Sequence, residues 1–239
     1  MLQPIRPMLM KKILITGANR GLGFAHTRKF VEQGVFVYAT ARVPHEANEL
    51  NDFARANPEL VQVLAYDAEQ ADAPAKLEAE LNDVALDLVF FNAGVNGARL
   101  RFGDIDADAA LQLFKINALA PLKLAEALVQ NVTRSERKIY AFQSSLMGSI
   151  NDNGSGGSYA YRMSKCALNM VVKNISIDLS AQGVIAVALH PGWVKTRMGG
   201  EQAPLSLSES VQGQQQLLRA LTPAHNGGFF NYDGKTLPW

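Results

Sequence analysis

A single cysteine, Cys166, excludes an intrachain disulfide, and with it the small bridged scaffolds of the secretory route. The lone thiol fits a reducing compartment, so a cytoplasmic protein is expected, and on its helix it reads as a small buried residue. Long apolar runs are also missing: none reaches the ~18 residues that a membrane-spanning helix needs. Neither sign of charge is in excess, since 23 Lys and Arg stand against 22 Asp and Glu. Without basic tracts or charge blocks, there is no electrostatic reason to expect nucleic acid or a membrane surface as partner. The histidines His26, His45, His190 and His225 show no ligand spacing with one another or with Cys166, so no metal is expected. His26, inward-looking between Leu22 and Phe30, reads as a satisfied histidine, and His190 before Pro191 as a structural one.

What is present is a regular alternation. Short apolar runs lie at Ile13–Thr16, Val35–Thr40, Val61–Tyr66, Leu86–Asn92, Lys138–Ser144, Val184–His190 and, more weakly, Gly228–Tyr232. Continuous runs of this kind are the mark of strands buried on both faces. Between them, helical patterns cover Leu22–Gln33, Glu46–Ala56, Asp72–Leu81, Asp106–Gln130, Tyr159–Gln182 and Ser208–Leu221. The order predicts an α/β fold: a single Rossmann-type domain, residues 10–239, with a doubly wound parallel sheet of about seven strands covered by helices on both faces. Pro121 removes a donor inside the fourth helical segment and should bend or open it. Residues 1–9 lack the long apolar core of a secretory signal and read as a flexible extension. Met10 is a candidate initiation residue.

Two local patterns carry chemistry. Thr16-Gly17-Ala18-Asn19-Arg20-Gly21-Leu22-Gly23 joins the first strand to the first helix. Glycines there permit a tight turn and close backbone approach to a pyrophosphate, which the free amides of the helix N-terminus attract. Farther on, Tyr161 and Lys165 stand one helical turn apart on one face. A neighbouring ammonium favours the phenolate and would bring a tyrosine of ordinary pKa ~10 nearer to neutral pH. Tyr159 is a second candidate, but only Tyr161 has a lysine four positions on.

These motifs, in this order, resemble the short-chain dehydrogenase/reductase family from Lys12 onward. Within it, the glycine-rich loop, Tyr159–Lys165 and the aromatic tail look like the C-factor and sniffer-like carbonyl reductases. Asn92-Ala93-Gly94 matches a family motif, although Phe91 stands where Asn is more usual. Asn117 sits where the family carries its fourth catalytic residue. Pro191-Gly192-Trp193-Val194-Lys195-Thr196 resembles the loop that lies against the nicotinamide. Ser144 and Ser145 open a Ser-Ser-x-x-Gly motif whose second serine is usually catalytic, so Ser145 is preferred and Ser144 remains a competitor. Tyr161 follows Ser145 by 16 positions, a few more than the resembled pattern has, and the excess falls in the turn-forming stretch 151–157.

The resemblance implies a dinucleotide held by Gly17, Asn19, Arg20, Gly21, Leu22, Gly23, Arg42, Asp67, Asn92, Ala93, Gly94, Tyr161, Lys165, Pro191, Gly192, Val194 and Thr196. The second strand ends without a carboxylate and is followed by Arg42; with Arg20 this favours the 2′-phosphate of NADPH over NADH. The plainer reading is a pair of surface arginines. Asp67 would contact the adenine, or merely cap a helix. The implied reaction is reduction of a ketone or aldehyde by hydride from the pro-S face. In it Ser145 holds the carbonyl oxygen, Tyr161 protonates it, Lys165 tunes Tyr161 and grips the nicotinamide ribose, and Asn117 positions a water. The short segment 197–209, where the family inserts a substrate lid, suggests an open pocket for a small or permissive substrate set. A homodimer or homotetramer is expected on the resemblance alone. The rival expectation is a dinucleotide-binding signalling or sensor protein of C-factor type, in which turnover is incidental.

Overall fold

The computed structural model describes residues 10–239; the extension read at 1–9 lies outside them. In chain order the elements are β1 (Lys12–Ile15), α1 (Gly21–Val31), β2 (Phe36–Ala41), α2 (Asn48–Ala56), β3 (Val61–Ala65), α3 (Ala73–Leu81), β4 (Leu88–Phe91), α4 (Ala107–Phe114), α5 (Ala120–Ala127), α6 (Val129–Thr133), β5 (Ile139–Gln143), α7 (Tyr159–Asp178), β6 (Ile185–His190), α8 (Leu207–Ala220) and β7 (Phe229–Asn231). Seven strands form one sheet in the order β3-β2-β1-β4-β5-β6-β7. Every neighbouring pair is parallel, with Ile13 opposite Val37 on one side and Leu88 on the other.

The unbroken apolar runs are explained by the two layers they feed. Ile13, Ile15, Leu88, Phe90, Ile139 and Ala141 join a core with Phe30 and Val31 of α1, Leu50 of α2, and Leu217 and Leu218 of α8. Their alternate neighbours Leu14, Val89, Phe91, Tyr140 and Phe142 join a second core with Leu77 of α3, Leu124 of α5, and Leu168 and Val172 of α7. Side chains of a strand alternate between faces, so both parities must be apolar when both faces are covered. From β1 the chain runs outward to β2 and β3, and from β4 it runs the other way. The crevice at the carboxyl ends of β1 and β4 is therefore the topological switch point, where such sheets bind ligands.

The fourth helical segment differs from a single helix over Asp106–Gln130. It is divided into α4, a π-helical turn at Lys115–Leu119, α5 and α6. Pro121 has no N–H to donate to the carbonyl of Asn117, four residues back. The chain answers by widening: the Ala120 amide bonds the Lys115 carbonyl, five residues back. The expected start at Glu46 also shifts, because Pro44–Glu46 forms a separate 3-10 turn before α2.

Candidate active site

The loop between β1 and α1 is built for close approach. Gly17 and Gly21 take φ of +64° and +55°, the left-handed region that glycine enters freely. A Cβ on Gly23 would lie 2.3 Å from the Gly17 carbonyl oxygen and 2.5 Å from Asn92 Nδ2. Asn92 Nδ2 donates to the carbonyls of Thr16 and Gly17 at 2.9 and 3.1 Å, and the Ala93 amide donates to Thr16 Oγ1 at 3.0 Å. The ends of β1 and β4 are thus laced together beneath α1. Arg20 at the N-cap of α1 provides no side-chain cap, and the first turn carries no acidic residue. Uncapped first-turn amides and a tightly packed glycine loop are a donor set that fits the phosphates of a dinucleotide.

The arginine corner holds a carboxylate that sequence reading missed. Arg42 Nη1 lies 3.7 Å from Glu69 Oε1, and Glu69 also accepts from Gln112 Nε2 at 2.7 Å. Arg42 is largely exposed, so this pair is worth at most ~1 kcal/mol and does not lock the guanidinium. Asp67 Oδ1 accepts from the Glu69 amide at 3.0 Å and closes a local turn; the plainer reading of it as a helix cap is corrected, because Asp72 stands at the N-cap of α3.

At the end of β6, Gly192 has φ +83°, and a Cβ there would meet Leu205 Cδ2 at 2.6 Å. Val194 pairs with Leu205, and the Pro191 carbonyl accepts from Ser210 Oγ at 2.6 Å. Thr196 Oγ1 accepts from the Gly199 amide at 3.1 Å, while Trp193 Nε1 donates to the Gly199 carbonyl at 2.7 Å. The segment after Thr196 therefore folds back onto its own loop.

Four of the expected residues meet beyond β4 and β5. Lys165 is buried, and its Nζ donates to the Gln143 carbonyl at 2.8 Å. A Cβ on Gly94 would lie 3.2 Å from Asn117 Oδ1 and 3.5 Å from Lys165 Nζ, so these three residues converge. The Asn117 amide group is fully engaged: Oδ1 accepts from the Val95 amide at 2.9 Å, and Nδ2 donates to the Val95 carbonyl at 2.8 Å and to Ser164 Oγ at 3.0 Å. The adjacent serines separate cleanly. Ser144 Oγ donates to Asn169 Oδ1 at 2.6 Å, whereas Ser145 Oγ accepts from the Met147 amide at 3.2 Å and is the hydroxyl that acts on the Tyr161 phenol. Tyr159 is exposed, with its ring 6.2 Å from that of Phe102.

The electrostatics reverse one expectation. Burial raises the Tyr161 pKa above its ordinary value, and only the Ser145 hydrogen bond pulls it down. Lys165 does not depress it. Its ammonium is 5.9 Å from the centre of the tyrosine ring and is itself pushed down to about 8 by burial. The phenol is accordingly protonated at neutral pH, the state a proton donor requires.

Two other expectations are corrected. His26 is fully buried, yet neither ring nitrogen has a partner among the described residues; it lies edge-on to Phe90 at 4.8 Å. Burial lowers its pKa to about 3, so it is a neutral core ring rather than a satisfied histidine. Cys166 is part-exposed rather than buried. Gln143 and Ser164, which hold Lys165 and Asn117, were not singled out from sequence, because backbone acceptors and second partners leave no motif.

Residues 11–205 match the family model described as short chain dehydrogenase. Carbonyl reductase Sniffer of D. melanogaster superposes with a TM-score of 0.92 at 37% identity, over 97% of this chain and 100% of that one. A carbonyl reductase from Pseudomonas aeruginosa PAO1, in complex with NADP, gives a TM-score of 0.86 at 35% identity, over 97% of this chain and 100% of the other. C-signal of Myxococcus xanthus is 44% identical over 154 residues, covering 64% of this chain and 93% of that protein.

Proposed function

The chain belongs to the short chain dehydrogenase family and is an oxidoreductase of that class, and on this premise we propose that it reduces a ketone or aldehyde with NADPH, Tyr161 acting as general acid. One observation carries the reading: Tyr161 stands beside the buried Lys165, whose Nζ lies 5.9 Å from the centre of its ring, with the Ser145 hydroxyl as its neighbour, next to the crevice at the switch point. The nicotinamide, when bound, supplies the hydride. Ser145 donates a hydrogen bond to the substrate oxygen as negative charge develops there, and Tyr161 transfers its proton to that oxygen. The Lys165 ammonium, anchored by the Gln143 carbonyl, would grip the nicotinamide ribose and so hold the hydride donor beside Tyr161. The Asn117 carbonyl, relieved of a helical partner by Pro121, is available to a water that restores the proton.

Gly17, Asn19, Arg20, Gly21, Leu22 and Gly23 would hold the pyrophosphate, with Asn92, Ala93, Gly94, Pro191, Gly192, Val194 and Thr196 flanking the nicotinamide half. Arg20 and Arg42 would take the 2′-phosphate, and Asp67 would lie near the adenine. NADPH is supported by this pair of arginines and by the NADP complex of the Pseudomonas relative. A cytoplasmic homodimer or homotetramer completes the proposal. The exposed Met163, Met170 and Ile177 on α7, with Leu111 and Phe114 on α4, support an assembly through those helices.

The test is NADPH consumption across a panel of ketones and aldehydes. Tyr161→Phe should bind NADPH normally and lose turnover by about 10²–10⁴-fold. NADPH binding with no turnover on any carbonyl would sink the enzymatic reading in favour of a sensor, the role that the name of the Myxococcus relative suggests. For the coenzyme, Arg42→Ala should weaken NADPH more than NADH by ~1–3 kcal/mol. Equal weakening in a titration of both would remove the 2′-phosphate assignment.

A further inference from the structure

We infer that Arg162 is a positioning residue that ties the turn carrying Ser145 to the helix carrying Tyr161, and so sets the contact between them. The inference rests on the reading of Tyr161 as proton donor.

Arg162 directly follows Tyr161 and sends its donors to three places. Nε donates to the Gly156 carbonyl at 3.3 Å, Nη1 to the Met147 carbonyl at 3.3 Å, and Nη2 to Ser155 Oγ at 2.9 Å. The middle contact closes a ring. Met147 in turn donates its amide to Ser145 Oγ at 3.2 Å, and the Ser145 hydroxyl meets Tyr161. From Tyr161 the path continues through the peptide bond back to Arg162. A guanidinium is suited to this because its planar fork presents donors in fixed, divergent directions, which a lysine ammonium cannot do.

The local backbone shows why such a tie is required. The start of α7 is unusual: Ser158 at its N-cap has φ +48° and gives no side-chain cap. Just before it, Gly156 and Gly157 both have positive φ. A long, glycine-rich connection into an uncapped helix leaves the first turn, with Tyr161, weakly fixed relative to Ser145. The connection is nevertheless built. Asn153 Oδ1 accepts from the Gly156 amide at 3.0 Å, and the Trp239 carbonyl accepts from the Ile150 and Asn151 amides at 2.9 and 3.2 Å. Arg162 binds that structured connection to the helix. It also lines an open cavity of about 280 Å³ with Leu146, Met147, Asp152, Gly154 and Ser155, so a small cation can reach its place from solvent.

The experiment is steady-state kinetics of Arg162→Met on a carbonyl turned over by the parent, with Tyr161→Phe alongside. Arg162→Met should lower kcat by about 10–100-fold, the scale of a small misplacement of reacting groups, with the KM for NADPH unchanged. Added guanidinium ion should recover part of kcat in Arg162→Met and none in Tyr161→Phe. A folded Arg162→Met with parental kcat overturns the inference, as does a loss that guanidinium leaves untouched. Should Arg162→Met fail to fold, Arg162→Lys and Ser155→Ala decide. A partial fall in kcat at parental melting temperature supports the tie, and unchanged kcat in both removes it. If Tyr161→Phe itself keeps full turnover, the reading of the site fails; if only the Arg162 variants behave like the parent, the tie alone fails.

Discussion

Lys165 destabilises the fold in the place where the proposed chemistry needs it. Its ammonium is buried, and burial holds the pKa at about 8 against an ordinary 10.5. A depressed folded value means that the unfolded chain holds the proton more firmly. The associated stability is therefore present in full only above pH ~10.5 and falls as pH drops to about 8. At pH 7 the whole penalty, on the order of 3 kcal/mol, is in force. Lys165→Met should accordingly raise the urea midpoint at pH 7 while abolishing turnover, and its advantage should shrink as pH rises from 8 to above 10. A midpoint that falls at pH 7 would show that the bond to the Gln143 carbonyl outweighs desolvation. At this scale the sequence named Tyr161 and Lys165 from their spacing. It left Ser144 and Ser145 open, because adjacent residues at a strand end point to opposite sides and only the packing of α7 tells which side is which. Asn169 takes Ser144 and leaves Ser145 to Tyr161.

Among elements, the join of β1 to α1 is the most constrained. Gly23 has no room for a methyl group: the nearest atom is the Gly17 carbonyl oxygen, at 2.3 Å from a Cβ, and that atom belongs to the backbone. Gly23→Ala must therefore push α1 away from the end of β1 and disturb the Asn92 bonds to Thr16 and Gly17. The expected result is a loss of about 1–3 kcal/mol in chemical denaturation, the range of overpacked sites, with NADPH binding weakened more than ten-fold in a fluorescence titration. Unaltered binding would separate the loop from the cofactor. The glycine pattern was legible because a forbidden side chain leaves a direct trace in sequence. The π-helical turn at Lys115–Leu119 was only half legible: Pro121 announced a break, but the shape of the repair depended on which carbonyls the next turn could still reach.

For the molecule as a whole, two buried histidines bear on acid stability. His26 has a folded pKa of about 3, and His190 about 4, against 6.5, in both cases chiefly through burial. Each contributes stability that is complete above pH 6.5 and is lost as pH falls towards its folded value. For His26 the loss amounts to roughly 4–5 kcal/mol by pH 3. His26→Leu should flatten the pH dependence of unfolding free energy between pH 6.5 and 3, measured by urea melts at stepped pH. A slope equal to that of the parent would mean that the ring finds a hydrogen-bond partner in solution. The neutral state of His26 was not legible in sequence, where a polar residue on an inward helical position suggested a partner. Between Phe30 and Phe90 there is none among the described residues.

By itself the sequence determined the layering, the parallel sheet and the two motifs at its carboxyl edge, because strand parity, glycine placement and helical spacing are local patterns that must be written residue by residue. Only the tertiary structure decided which serine faces the phenol, that burial and not the lysine governs its proton, and that Arg162 reaches across to Met147. Those outcomes depend on distances between residues remote along the chain and on how much water remains around them, and neither quantity exists until the chain has packed.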